Sequence, residues 1–219
     1  YVAFQDSDDE WLPRKLERQI EVFEKVPPKV GVVYTGFWKV RDDRKFYVPY
    51  AMTRPKQGDI HKSLIEGNFV ALPTAVVRKV CFAKAGEFDE ALPRLQDWEL
   101  WLRIARHYHF RYINEPLVES YYTQDSISAD KEGLEKALML IMAKHFEAVK
   151  NDRKLLAKAY CGISGSLYSV GEFAEARRYI LEALRLYPLN IKFFVAAFAS
   201  LFGQGVFGKA VQLYQKIRI

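Results

Sequence analysis

Cysteine is scarce: Cys81 and Cys161 are the only two in 219 residues, far apart and without metal-ligand spacing. That excludes a disulfide framework and points to a reducing compartment. Long apolar runs are also lacking, and none reaches the roughly 18 residues a membrane-spanning helix needs. The longest, Ile191–Phe207, is broken by Lys192, Ser200, Gln204 and nearby glycines, and reads as a packed helix pair. Neither sign of charge dominates. Lys and Arg number 33 against 27 acidic residues, a net +6 spread along the chain. Without a basic stripe or an aromatic–basic motif, a nucleic-acid binder is disfavoured. A mild positive balance suits anionic phosphates or the inner membrane surface. An initial Met is absent too: the chain opens on Tyr1 in mid-strand, so these residues are not expected to be the polypeptide's natural beginning.

What is present describes a globular chain. Half the residues are hydrophobic and 15% aromatic, which rules out disorder and allows one good core with a smaller second one. Tyr1–Trp11 reads as a short apolar strand running into acidic residues. Pro13 then opens a helix whose apolar face carries Leu16, Ile20 and Phe23, ending before Pro27-Pro28. Val30–Val40 is β-branched and aromatic, a strand, with a turn at Arg41-Asp42-Asp43 and a partner strand over Lys45–Tyr50. Asp59 is placed to cap a helix through Glu66, stopped by Gly67. Thr74–Val77 is a further strand, and Asp97–His107 an amphipathic helix carrying Trp98, Trp101, Leu102 and Ala105. Phe110–Ile113 and Val118–Tyr122 are two extended pieces, and everything from Lys131 onward is helical.

The second half carries an internal period. Tyr160 and Phe194, Leu167 and Leu201, Gly171 and Gly205, Phe173 and Phe207, and Ala176 and Ala210 each lie 34 residues apart. That is the tetratricopeptide period, and Gly171–Ala176 through Ala183–Asn190 resembles its second helix and exit turn. Two copies are expected, over about 157–190 and 191–219, the second degenerate, within a helical region spanning 129–219. Two are too few for a free-standing solenoid.

Two acidic constellations bear chemistry. Asp6-Ser7-Asp8-Asp9-Glu10 precedes a Pro-started helix. Alternation along a strand would send Asp6 and Asp8 to the same side, a clamp for a hard divalent cation that shares its shell with a phosphate. The alternative is a solvated acidic turn favouring a helix N-terminus. An EF-hand fails, since Trp11 stands where it needs glycine. In the second constellation, Gly86-Glu87-Phe88-Asp89-Glu90 is followed by Gln96-Asp97-Trp98-Glu99, with Asp97 in the first turn of an apolar helix. Asp97 is either a plain N-cap or an ionised carboxylate facing an acceptor hydroxyl, as a general base must be.

Four stretches in this order, Phe4–Trp11, Asn68-Phe69 with Thr74–Arg78, Gly86–Glu90 and Gln96–Arg103, carry a likeness over residues 1–128. This part resembles the later portion of a family 2 glycosyltransferase of the GT-A fold. The fold class that follows is α/β, a partial GT-A mixed sheet with flanking helices, followed by the all-α tetratricopeptide-like region. The resemblance implies that Asp8 ligates Mn2+ or Mg2+, that Asp6 contacts the donor ribose or supports the metal, that Asp9 lies on the same donor side, and that Asp97 is the base. It further implies a single inverting displacement by a hexosyltransferase-like enzyme, moving a sugar from a nucleotide donor, a UDP-sugar, to a glycan or lipid-linked acceptor.

Gln96 stands where the family usually has Glu, and Gln124 where many relatives carry a His at the metal or diphosphate. The family's opening strands, which grip the nucleotide base and ribose, have no counterpart in these residues. The rival expectation is a non-catalytic transferase remnant that docks a protein partner through its helical repeats. The family's usual setting, surface-polysaccharide assembly, implies a cytoplasmic protein with peripheral access to the inner face of the membrane. Of the smaller candidates, Trp98 and Trp101 shape either an acceptor pocket or the core, Arg103 pairs with an acidic neighbour or approaches a phosphate, and Tyr34–Trp38 is placed to line the acceptor side.

Overall fold

A computed structural model describes residues 1–41, 44–48, 57–121 and 131–200. The chain divides into two compact units. Tyr1–Leu64, Asn68–Ala91 and Gln96–Ser126 make the first, while Ile65–Gly67, Leu92–Leu95 and Ile127–Ile219 make the second.

The first unit is a mixed sheet flanked by helices. Its strands are β1 (Val2–Ala3), β2 (Asp9–Trp11), β3 (Val30–Arg41), β4 (Arg44–Val48), β5 (Ala75–Val77) and β6 (His109–Tyr121), in the order β1-β5-β3-β6-β2 with β4 also on β3. Among the described residues, only the β3–β6 pairing is parallel. Strand β3 is the spine. Val30 to Gly36 are all buried, as expected of a central strand covered on both faces. One edge of β3 takes β6; the other is shared by β5 near Val32–Tyr34 and β4 near Phe37–Arg41.

The two extended pieces expected around residues 110 and 120 are one strand. The β3–β6 register jumps from Thr35↔Ile113 to Gly36↔Pro116, so Asn114 and Glu115 are accommodated as a bulge. Pro116 cannot donate to the ladder, which gave the sequence the look of a break where the strand merely bulges. Tyr50 and Tyr122, at the ends of two expected strands, lie outside the described residues.

Helix α1 (Lys15–Lys25) starts two residues beyond Pro13, after Arg14 turns the chain at φ 69°. Its inner face is rotated from the expected one: Phe23 is buried and Ile20 packs against the core as expected, but Leu16 is exposed, and Lys15 and Gln19 are buried in addition. The reason is hydrogen bonding. Gln19 Nε2 donates to the carbonyls of Val33 (2.8 Å) and Thr74 (2.9 Å), joining the helix to β3 and to the turn before β5. Phe23 then packs with Val30, Val33, Val76 and Ile113 to form the core beneath the helix. Between β4 and β6 lie α2 (His61–Ile65), with Asp59 Oδ1 accepting from the His61 N–H, α3 (Val80–Ala85) and α4 (Gln96–Ala105).

The second unit is helical: α5 (Lys131–His145), α6 (Arg153–Ser169), α7 (Phe173–Leu186) and α8 (Ile191–Ala199). Helices α6 and α7 form a hairpin turned at Gly171, whose φ of 89° suits glycine. Small residues bring the two helices close, so that buried Ser164 Oγ donates to the Ala176 carbonyl at 2.6 Å. Tyr160 packs on Tyr179 and Tyr168 on Phe173. Asp152 and Asn190 cap α6 and α8. Most of the expected second repeat, from residue 201 on, lies outside the described residues. Among the described residues, no helix is long and apolar enough to cross a membrane.

Lys15 is the costliest residue of the first unit's core. It is 2% exposed, and its Nζ has no hydrogen-bond partner, resting 4.2 Å from the Trp11 ring centroid. Burial pushes the ammonium down to about 8. Protonated Lys15 therefore opposes folding fully below pH 8, and the penalty fades as pH rises from there towards 10.5, where the unfolded chain also loses the proton. Lys15→Met is expected to stabilise the protein at pH 7 by about 1–3 kcal/mol. Urea denaturation should show that gain shrinking between pH 8 and 10.5.

Candidate active site

The acidic run is a turn, not a strand. Strand β1 stops at Ala3, and β2 begins only at Asp9. Between them the Asp9 N–H returns to the Asp6 carbonyl at 3.2 Å, and Gln5 Nε2 bonds the carbonyls of Asp9 (2.6 Å) and Asp6 (3.3 Å). Strand alternation therefore cannot place Asp6 and Asp8 together; the tight turn does so instead. Their charges act on each other: burial, then the Asp8 carboxylate, raises the pKa of Asp6. Asp9 leads into β2, paired with Ser120 of β6. Burial first, then the Asp6 and Asp8 charges, lift Asp9 to about 6 against hydrogen bonds from Ser120 and the Tyr121 backbone.

Asp97 reaches the same neighbourhood from α4. It is the helix's second residue rather than its N-cap. Its Oδ1 accepts from the Trp98 N–H at 2.7 Å, and its Oδ2 from Asn68 Nδ2 at 3.0 Å. Burial raises this carboxyl to about 6, and the Asp6 charge adds to the rise, while the two hydrogen bonds hold it down. Carboxylates 91 positions apart in sequence thus come close enough for the Asp6 charge to raise the proton affinity of Asp97.

Aromatic packing brings the turn and the helix together. Phe4, two residues before Asp6, meets Trp101 of α4 edge-on at 6.2 Å and Phe88 at 5.6 Å. Trp101 in turn meets Phe110 of β6. Both tryptophans of α4 are core: Trp101 Nε1 donates to the Val70 carbonyl (2.9 Å) and Trp98 Nε1 to that of Leu64 (2.8 Å). Their burial matches the core reading of the two. Arg103 takes its acidic neighbour: its guanidinium pairs with buried Glu99 and donates to the carbonyls of Ala85 and Glu87, tying α4 to the loop that carries Phe88.

Asn68 is the residue that sequence reasoning left out of the site. Asn68-Phe69 is among the stretches that carry the family likeness, but no role followed from it, and only the fold turns the amide toward Asp97. Its Oδ1 accepts from the Val70 N–H at 3.1 Å, which orients Nδ2 to the carboxylate. Gln5, the brace of the acidic turn, was missed for the same reason. Gln124 lies outside the described residues. Among the described residues, no three His, Cys, Asp or Glu side chains are grouped to hold a metal ion by themselves.

A half-buried carboxylate with a raised pKa costs stability once ionised. The contribution of Asp97 is intact below its ordinary value of 3.8 and is lost as pH rises through about 6. Asp97→Asn is therefore expected to stabilise the protein by about 1–2 kcal/mol at pH 7.5, a gain that disappears near pH 4. Denaturant midpoints at the two pH values check this.

No protein-family model matches the chain. Among curated proteins, it is 25% identical over 157 residues to an uncharacterized glycosyltransferase of Haemophilus influenzae, covering 70% of this chain and 53% of that protein. It is 27% identical over 120 residues to an uncharacterized glycosyltransferase of Methanocaldococcus jannaschii, 54% of this chain and 41% of that protein. It is also 26% identical over 136 residues to the UDP-Glc:alpha-D-GlcNAc-diphosphoundecaprenol beta-1,3-glucosyltransferase WfgD of Escherichia coli, 60% of this chain and 49% of that protein. The chain thus spans about half the length of these relatives. It is similar, over more than half of its own residues, to proteins named glycosyltransferases.

Proposed function

We propose that residues 1–128 are the acceptor-side part of a GT-A glycosyltransferase that moves a sugar, with inversion, from a UDP-sugar to a glycan or lipid-linked acceptor. One observation carries this reading: Asp6 of the acidic turn and Asp97 of α4 converge, each with a raised pKa and with Asn68 bonded to Asp97. The Asn68 amide on Oδ2 fixes the carboxylate's orientation, as a base that presents a lone pair to a hydroxyl requires.

Asp97 accepts the proton of the incoming acceptor hydroxyl as that oxygen bonds to the anomeric carbon. The bond from the anomeric carbon to the donor's diphosphate breaks in the same displacement, leaving a nucleoside diphosphate. Asn68 holds the carboxylate in one rotamer, so its free lone pairs stay aimed. Asp8 and Asp6 would hold a divalent cation, Mn2+ or Mg2+. Their hard, all-oxygen donor set fits such an ion, and two carboxylates leave the remaining positions to water and the diphosphate. That ion would neutralise the departing diphosphate. Asp9, braced by Ser120 and the Tyr121 backbone, keeps the turn in place.

The lipid-linked acceptor is supported by the activity that names the Escherichia coli relative, and a membrane-adjacent, cytoplasmic site would follow from it. The hairpin of α6 and α7, with its exit turn at Tyr187–Asn190, supports a tetratricopeptide-like helical region with a protein partner. The non-catalytic alternative is not favoured, because the acidic turn, Asn68 and Asp97 are all in place.

Transfer by the full-length protein, measured as UDP release with Mn2+, is expected to rise with pH through about 6 as Asp97 ionises. Asp97→Asn should lower kcat by roughly 10²- to 10⁴-fold. Asp8→Ala should abolish the response to metal. Wild-type rates in both variants would overturn the mechanism. Asn68→Ala removes a hydrogen bond to the charged carboxylate and should move the pH midpoint upward by roughly half a unit to one unit, with kcat falling more than acceptor KM changes.

A further inference from the structure

Beside Asn68 begins a row of aromatic side chains on one face of the sheet. Phe69 leans on Tyr34 of β3 at 6.4 Å between ring centroids, and Tyr34 on Tyr112 of β6 at 5.1 Å. The hydroxyls of Tyr112 and Tyr47 meet at 2.7 Å, and the Tyr47 ring packs on Trp38 at 5.6 Å. The row thus runs from the neighbour of the base to the β3–β4 hairpin. Tyr34 is fully buried and anchors the row, while Phe69, Tyr112, Tyr47 and Trp38 remain half-exposed.

Two details mark this as built rather than incidental. Gly36 lies under Tyr47, where a Cβ would come 2.5 Å from the ring's Cε2, so the absence of a side chain lets the ring lie across β3. Both tyrosine hydroxyls also reach Asn114 Oδ1, at 2.8 and 3.1 Å, and Asn114 belongs to the bulge of β6. The bulge therefore raises an exposed amide beside half-exposed ring faces, with its Nδ2 donors directed away from the two hydroxyls.

Flat aromatic faces rimmed by neutral donors and acceptors match a pyranose, whose axial C–H groups form an apolar face and whose equatorial hydroxyls ring its edge. A lipid tail would cover the exposed Asn114 amide and leave its Nδ2 donors without water, at a cost. Among the described residues, the basic group at the Trp38 end, Lys45, is already paired with Glu119, so it does not stand free to hold a nucleotide's phosphate.

We infer that the Trp38–Tyr47–Tyr112 face is a saccharide platform, on which sugar residues of an oligosaccharide acceptor stack behind the one presented to Asp97. This rests on the transferase reading for its role, but the binding of glycan does not. The acceptor is then more than a single sugar. Its recognition is by stacking and neutral hydrogen bonds, so it should be insensitive to salt.

The test is binding of the labelled full-length protein to an array of mono- to hexasaccharides from bacterial surface glycans, at low and high salt. Oligosaccharides are expected to retain the protein better than monosaccharides, with little change between the two salts. Trp38→Ala should lose at least ten-fold in signal. Tyr47→Phe, which keeps the ring and removes one hydroxyl, should lose less, and near-UV circular dichroism reports whether each variant is folded. No retention of any glycan by the unsubstituted protein, or wild-type retention by both folded variants, would overturn the platform. UDP-sugar turnover by the unsubstituted protein is scored separately. Glycan binding without turnover would sink the transferase reading and leave the platform standing.

Discussion

Trp101 sits, fully buried, where α4, β6 and the segment ahead of the acidic turn meet. Its ring takes the edges of Phe4 and Phe110, and its indole N–H is satisfied by the Val70 carbonyl. Those contacts set the separation between the two acidic stretches. Phe4 fixes where the chain enters the turn that carries Asp6, Asp8 and Asp9. The Val70 bond fixes the strip that carries Asn68, and the same helix carries Asp97. A large apolar ring with one satisfied polar atom can hold three elements in register, which a set of surface ion pairs could not do.

The carboxylates gathered by this packing work against the fold. Burial and mutual repulsion raise Asp6, Asp9 and Asp97 above the ordinary aspartate range, so each ionised form is held at a cost that the aromatic core offsets. Strain of this kind is common at chemical sites. Lys15 is a second such expense, one helix turn from Gln19, whose amide does useful work for the sheet. Unsatisfied groups on the inner face of α1 show that burial there is set by what the sheet needs from Gln19 and Phe23, not by hydrophobicity alone.

The helical unit follows a simpler rule. Ser164, Ala176 and Ala183 are small, so α6 and α7 approach closely, and the aromatic pairs Tyr160–Tyr179 and Tyr168–Phe173 close the flanks. Short-range spacing and small size suffice for a helical hairpin, and this region needed little long-range information.

Local chemistry made much of this protein legible in advance. Runs of β-branched residues marked β3, helical spacing marked α4 and α6–α8, and the two acidic stretches stood out because carboxylates so placed are expensive without a purpose. Three things required the tertiary structure. The inner face of α1 turned on carbonyls supplied by β3 and by the turn before β5, neither of which is near it in sequence. The continuity of β6 across Pro116 depended on a bulge against β3, which a lone strand cannot reveal. The partnership of Asn68 with Asp97, and the reach of the Asp6 charge to Asp97, arose from aromatic packing between segments up to 97 residues apart, numbered from Phe4 to Trp101. Residue type and spacing along the chain set what each element is. Which side chains meet was decided by packing across the sheet, because only there do distant carbonyls, rings and charges compete for the same space.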